Sequence, residues 1–126
     1  MLIELDCESD FVAKGEAFRT LARELAIHIA AANPRWITRD EVAAEIVEAE
    51  REVATRRYEA EGKPAQVIPK IVEGQLNSFY KENCLLEQAW VRDPNTTIEN
   101  LIKENISRLQ ENIVVRRFAR FDVKGA

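Results

Sequence analysis

Asn112-Ile113-Val114-Val115-Arg116-Arg117-Phe118-Ala119-Arg120-Phe121-Asp122-Val123 is rich in β-branched and aromatic residues and predicts a strand over 112–123. Ile113, Val115, Ala119, Phe121 and Val123 alternate with Val114, Arg116, Phe118 and Arg120; Arg117 interrupts the first face. The opposite end of the chain alternates too. In Leu2 to Glu8, Ile3, Leu5 and Cys7 share one face, and Glu4, Asp6 and Glu8 share the other. The two stretches carry opposite charge. Glu4, Asp6 and Glu8 facing Arg116 and Arg120 across an antiparallel ladder would help set its register. The expected fold is therefore α+β and two-layered, with strands 2–8 and 112–123 paired in one sheet and covered by the helices between them.

Those helices are legible from their period. Phe18, Leu21, Ala22, Leu25 and Ile29 make one apolar stripe from Glu16 to Ala32, which Asn33-Pro34 ends. Thr38-Arg39-Asp40-Glu41 has the spacing of a capping box and predicts the start of a second helix carrying Val42, Ile46 and Val53. That helix is mostly charged, which suits a projecting element. Gly62 should close it as a left-handed cap, with Pro64 opening a third helix that runs to about Lys81. Its apolar positions are Ile68, Ile71, Val72, Leu76 and Phe79. Helices joined by Gly62-Lys63-Pro64 form a projecting hairpin. Cys84 to Val91 reads as extended, Asp93-Pro94-Asn95 as a turn, and Thr96 with Glu99 as the cap of a last helix.

The 126 residues suit one domain, 1–126. Hydrophobic residues are 46% and charged residues 32%, a globular balance. A net charge of -4 argues against a general nucleic-acid binder, since phosphate backbones reward surplus positive charge. Arg116, Arg117 and Arg120 around Phe118 admit an RNA-binding reading, but an acidic strand in the same chain makes them intramolecular partners first. No apolar run is long enough to span a membrane. Cys7 and Cys84 lie far apart and, with His28 as the one histidine, build no zinc site. They read as buried small hydrophobes, with a disulfide left open. No nucleophile, general base or phosphate loop stands out, so neither catalytic residue, metal nor cofactor is expected, and an interaction module fits better than an enzyme.

One stretch has no such plain role. Cys7-Glu8-Ser9-Asp10-Phe11-Val12-Ala13 turns from the first strand into a helix and sets a large aromatic beside an acid at the corner. Ser9 or Asp10 as a helix cap, with Phe11 folded back as a hydrophobic staple, is the first reading of the segment alone. The other is an outward wedge, since loops on a rigid scaffold collect binding residues.

Six segments, taken together, resemble the elongation factor Ts family. They are Glu4 to Ala13, Ala30 to Pro34, Glu61 to Pro64, Lys70 to Gly74, Cys84 to Gln88 and Glu111 to Phe118, in the family's order and across nearly the whole chain. The resemblance implies guanine-nucleotide exchange on the GTPase elongation factor Tu during translation. It also implies a partner-binding site of Ser9, Asp10, Phe11 and Val12: Phe11 the wedge, Asp10 its polar partner, Val12 holding the corner. The cytoplasm of a bacterium, or an organelle stroma or matrix, is the implied compartment. The alternative is a dimerisation or assembly module of the same fold without exchange activity.

Three departures qualify the resemblance. Ser9 stands where the family usually has threonine, which keeps a hydroxyl. Gly15 is expected to loosen the helix start. The family's small N-terminal helical module, and a strand that pairs with Leu2 to Glu8, have no counterpart here, so the chain is expected to be a truncated form or a piece of a longer protein. Short family members pair through their sheets, so a homodimer is a further expectation, which an uncovered edge strand favours.

Overall fold

The computed structural model describes residues 1–124. Strand β1 (Leu2–Cys7) pairs antiparallel with the last strand, β4 (Ile113–Ala119). Between them, in chain order, lie α1 (Asp10–Ala13), α2 (Glu16–Ala32), α3 (Ala44–Ala60), α4 (Ile68–Asn83), the short strands β2 (Ala89–Trp90) and β3 (Asp93–Thr97), and α5 (Ile98–Leu109). The fold is α+β, as the terminal alternation predicts.

The ladder explains the odd arginine. Glu4 pairs with Arg117 but Leu5 with Val115, so Arg116 is the extra residue of a β-bulge. Asp6 accepts from Arg116 at 3.0 Å and Glu4 from Arg117 at 2.7 Å. The expected partnership of Arg120 is corrected: Arg120 reaches past the ladder to Asp122 and to the carbonyl of Ala30. The strand also stops at Ala119, leaving Phe121 and Val123 exposed rather than on a strand face. Ile113 and Val115 turn inward to meet Phe18, Leu21, Leu25 and Ile29 of α2 and Ile98, Leu101 and Ile102 of α5. Leu25 and Ile29, each 0% exposed, mark the middle of this core.

Several local expectations are overturned. Thr38 makes no side-chain cap, and residues Arg39–Glu41 form a single 3-10 turn. The Glu41 carboxylate accepts from the N–H of Ile37, and Val42 is extended, so α3 begins only at Ala44. Val53 is exposed, and the buried seam of the hairpin is Ala54 against Ile68 and Val72. Gly62 does adopt the left-handed conformation, φ 80°, but the next helix starts at Ile68, with Pro69 in its first turn rather than Pro64 at its head. Gly74 lies in the middle of α4 with open space where a Cβ would stand. Cys84 to Val91 is not one extended run: Leu85–Glu87 make a 3-10 turn that drops Leu85 into the core. The chain then turns at Val91–Arg92, and Asp93-Pro94-Asn95 belongs to β3. The last cap is Thr97, whose Oγ1 accepts from the Asn100 N–H, one residue later than Thr96.

Candidate partner-binding site

The corner after β1 is a single helical turn. Ser9 is its N-cap: φ is -132°, ψ is 150°, and Oγ accepts from the Val12 N–H at 3.3 Å. The carbonyl of Ser9 accepts from the Ala13 N–H at 3.1 Å and from the Cys7 thiol at 3.3 Å. Asp10 makes no cap bond and lies exposed in the first turn, where a carboxylate is favoured by the free N–H groups. Val12 and Ala13 are half-buried and pack on the central core. Phe11, just before these two rooted residues, points away and is 89% exposed. Phe11 therefore does not fold back as a staple.

Gly15 has the opposite effect to the one expected of it. A Cβ there would sit 3.2 Å from the Val12 carbonyl oxygen, the atom to which the Gly15 N–H donates at 3.0 Å. The missing side chain lets α1 and α2 join through two residues and holds the corner close, rather than loosening α2.

A residue that sequence reasoning left unassigned completes the corner. Glu111, in the connection between α5 and β4, accepts from the Ser9 N–H at 3.0 Å and from the Ser9 hydroxyl at 2.6 Å. Glu8 answers in the other direction, accepting from the Asn112 N–H at 2.9 Å. The signal was in the ladder: Cys7 pairs with Ile113, so the residues just beyond that pair, 8–9 and 111–112, must meet.

Other groups with chemical potential are engaged in the fold. His28 is 0% exposed. Its Nδ1 accepts from the Val91 N–H at 3.3 Å and its Nε2–H donates to Gln88 Oε1 at 2.9 Å. Gln88 passes its amide to the carbonyl of Glu82 at 2.8 Å. Burial lowers the pKa of His28 below its ordinary 6.5, an effect the Gln88 hydrogen bond only partly offsets. Burial pushes the Cys84 thiol up to about 11, which keeps it protonated and unreactive. Both cysteines are free thiols. Arg116 and Arg117 are held by the acidic strand. An open groove of about 510 Å³ runs between α2 and α5 beside Trp90, and the Glu24 carboxylate on its lining is paired with Arg92. Among the described residues, no His, Cys, Asp and Glu cluster could hold a metal ion, and no helix is long and apolar enough to cross a membrane.

The chain is similar to known proteins over nearly all its length. Residues 14–125 match the family described as Elongation factor TS. The match starts just past the corner, so it rests on the body and not on Phe11. Among curated relatives, the Elongation factor Ts of Caldanaerobacter subterraneus subsp. tengcongensis is 52% identical over 122 residues, covering 97% of this chain and 61% of the relative. That of Fervidobacterium nodosum is 50% identical over 123 residues, covering 98% and 62%. That of Herpetosiphon aurantiacus is 51% identical over 122 residues, covering 97% and 62%. The chain thus spans about three fifths of the length of the relatives it matches.

Proposed function

Because this chain belongs to the elongation factor Ts family, we propose that it serves translation elongation as a guanine-nucleotide exchange factor for the GTPase elongation factor Tu. Its role is that of a binding protein, with no catalytic residue of its own. Ser9, Asp10, Phe11 and Val12 are the contact site. Phe11 enters the GTPase near its magnesium and phosphate site, Asp10 is the polar partner of the ring, Ser9 caps the turn and Val12 roots it. Exchange then follows from linkage: the factor binds the nucleotide-free state better than the GDP state, GDP leaves, and GTP displaces the factor by the same coupling.

The observation that carries this reading is the 89% exposure of Phe11 on a turn whose following two residues are packed in the core. A phenyl ring held out of its own protein on a rigid base suits an anchor for a partner's pocket. The test is GDP release from elongation factor Tu. The chain should accelerate it, and Phe11→Ala should remove at least about tenfold of the acceleration, the scale of an aromatic anchor. Thermal stability should hardly move, since the ring supports nothing in the fold. If no concentration of the chain accelerates release, the assembly reading takes its place. The two-stranded pairing of β1 with β4 supports that alternative, since it leaves outer sheet edges for a second copy among the described residues.

A further inference from the structure

We propose that Glu111 is the positioning residue of this corner: by fixing Ser9 it fixes the direction in which Phe11 leaves the surface. The proposal rests on the partner-binding reading above and adds to it a residue outside the four of the contact site, one that acts through Ser9.

α1 is only four residues long. Four residues make one turn, and a lone turn does not hold itself, because nucleating a helix costs more than its first hydrogen bond returns. Its orientation has to come from outside. Val12 and Ala13 root one side in the core. The other side depends on the Ser9 hydroxyl, which has one proton and two lone pairs. To accept from the Val12 N–H, Ser9 Oγ must turn its own proton elsewhere. Glu111 Oε2 takes that proton at 2.6 Å, while Oε1 takes the Ser9 N–H at 3.0 Å. Two bonds to one carboxylate fix both the backbone and the side chain of the cap residue, and bonds to an ionised acceptor are the stronger kind. With the Ser9 carbonyl also engaged, each polar group of Ser9 has a partner. The relay therefore runs from Glu111 through the Ser9 hydroxyl to the Val12 N–H, one residue past Phe11.

Glu8 supplies the internal control. It bridges the same two chain segments in the opposite sense: its carboxylate takes the Asn112 N–H, whereas that of Glu111 takes both Ser9 donors. If Glu111 merely tied the end of the ladder, Glu8 would be its equal. If it aims the corner, only Glu111 matters to the turn.

The experiment compares the whole chain with its Glu111→Ala, Glu111→Gln, Glu8→Ala and Phe11→Ala variants. It reads GDP release from elongation factor Tu at saturating factor and the hydrogen exchange of individual amides. Glu111→Ala should slow saturated GDP release about tenfold, and speed exchange of the Val12 amide by a similar factor, the scale of a lost hydrogen bond to a charged group. The amides of α2 and α5 should keep their protection. Glu111→Gln retains an acceptor for the Ser9 N–H but offers no carboxylate to the hydroxyl, so it should fall between wild type and Glu111→Ala; it also serves if the alanine variant folds poorly. Glu8→Ala should leave GDP release and Val12 exchange within about twofold of wild type. Equal losses in Glu8→Ala and Glu111→Ala, or an unchanged Val12 amide in both Glu111 variants, would overturn the proposal. If wild type and Phe11→Ala are equally inert on elongation factor Tu, the functional reading fails instead, and Val12 exchange still decides whether Glu111 sets the corner.

Discussion

Around α2, α5 and the β1–β4 ladder, ten buried apolar side chains from Phe18 to Val115 form one continuous cluster. Between α3 and α4 the corresponding cluster is Ala54, Ile68 and Val72, with Tyr58 against it. Much of the remaining hairpin surface is charged. Arg51 bridges Glu48 and Glu73, Arg56 pairs with Glu52, and Arg57 with Glu61. Such exposed pairs contribute little, because water already solvates both partners and two long side chains must be ordered. Body and hairpin thus share helix periodicity but not the source of their stability. The body rests on area removed from water; the hairpin rests on one narrow seam and intrinsic helix propensity. Local opening should start in the hairpin, the region with fewer buried apolar contacts.

The sharpest way to break this contrast is to empty a site in each cluster. Leu25→Ala removes a 0% exposed side chain from the middle of the body and should cost about 3–4 kcal/mol of global stability in urea unfolding. Val72→Ala in the hairpin seam should cost about 1–2 kcal/mol, less than the cavity cost of a larger core residue, and should accelerate hydrogen exchange in α3 and α4 while α2 and α5 keep their protection. If Val72→Ala loosens the body equally, the two regions are one cooperative unit and the contrast fails.

Acid should act on the body, through His28. Its folded pKa lies below the ordinary 6.5 because burial disfavours the imidazolium. An unfolded chain therefore takes up this proton first. The contribution is whole above about pH 6.5 and is lost as the pH falls from there through the lowered folded pKa. One proton limits the slope to about 1.4 kcal/mol per pH unit. His28 is the one histidine in the chain, so a His28→Asn variant should flatten the stability profile between about pH 6.5 and 5.5, checked by urea titration at each pH. A wild-type profile already flat across that range would remove the buried histidine from the account.

The smallest effect belongs to the hairpin and has the opposite sign. Gly74 is helical, has an ordinary φ, and leaves open space at its Cβ position. Gly74→Ala should raise stability by about 0.5–1 kcal/mol, chiefly by narrowing the unfolded ensemble, seen as slower exchange of neighbouring α4 amides. A loss would mean that the open space is filled in solution.

Much of the body was legible because its signals are periodic. The alternation of Leu2 to Cys7 and the stripe from Phe18 to Ile29 each repeat a geometry that burial on one face enforces. Single-position signals fared worse. Thr38 and Glu41 have the spacing of a capping box, but the carboxylate goes to Ile37, and a 3-10 turn accepts the same pattern. The apolar run Cys84-Leu85-Leu86 looked like a strand because burial alone does not reveal period; it is a turn pressed into the core. Of the candidate site, the exposed aromatic beside an acid could be read locally. Glu111 stands 102 residues away from Ser9 and becomes visible only once the ladder register is known. The contact of His28 with Gln88, 60 residues on, leaves no local trace at all.

The hairpin is clasped at its base. Its entering and leaving chains lie side by side: Asn83 O accepts from the Arg35 N–H at 2.8 Å, Trp36 O from the Leu85 N–H at 2.8 Å, and Ile37 O from the Leu86 N–H at 3.1 Å. Stacking of Arg35 on Trp36 and of Arg39 on Tyr80 flanks this clasp. Because the collar closes on itself, the spacing at which the two chains enter the body is fixed by these backbone hydrogen bonds and not by the length of the helices beyond them.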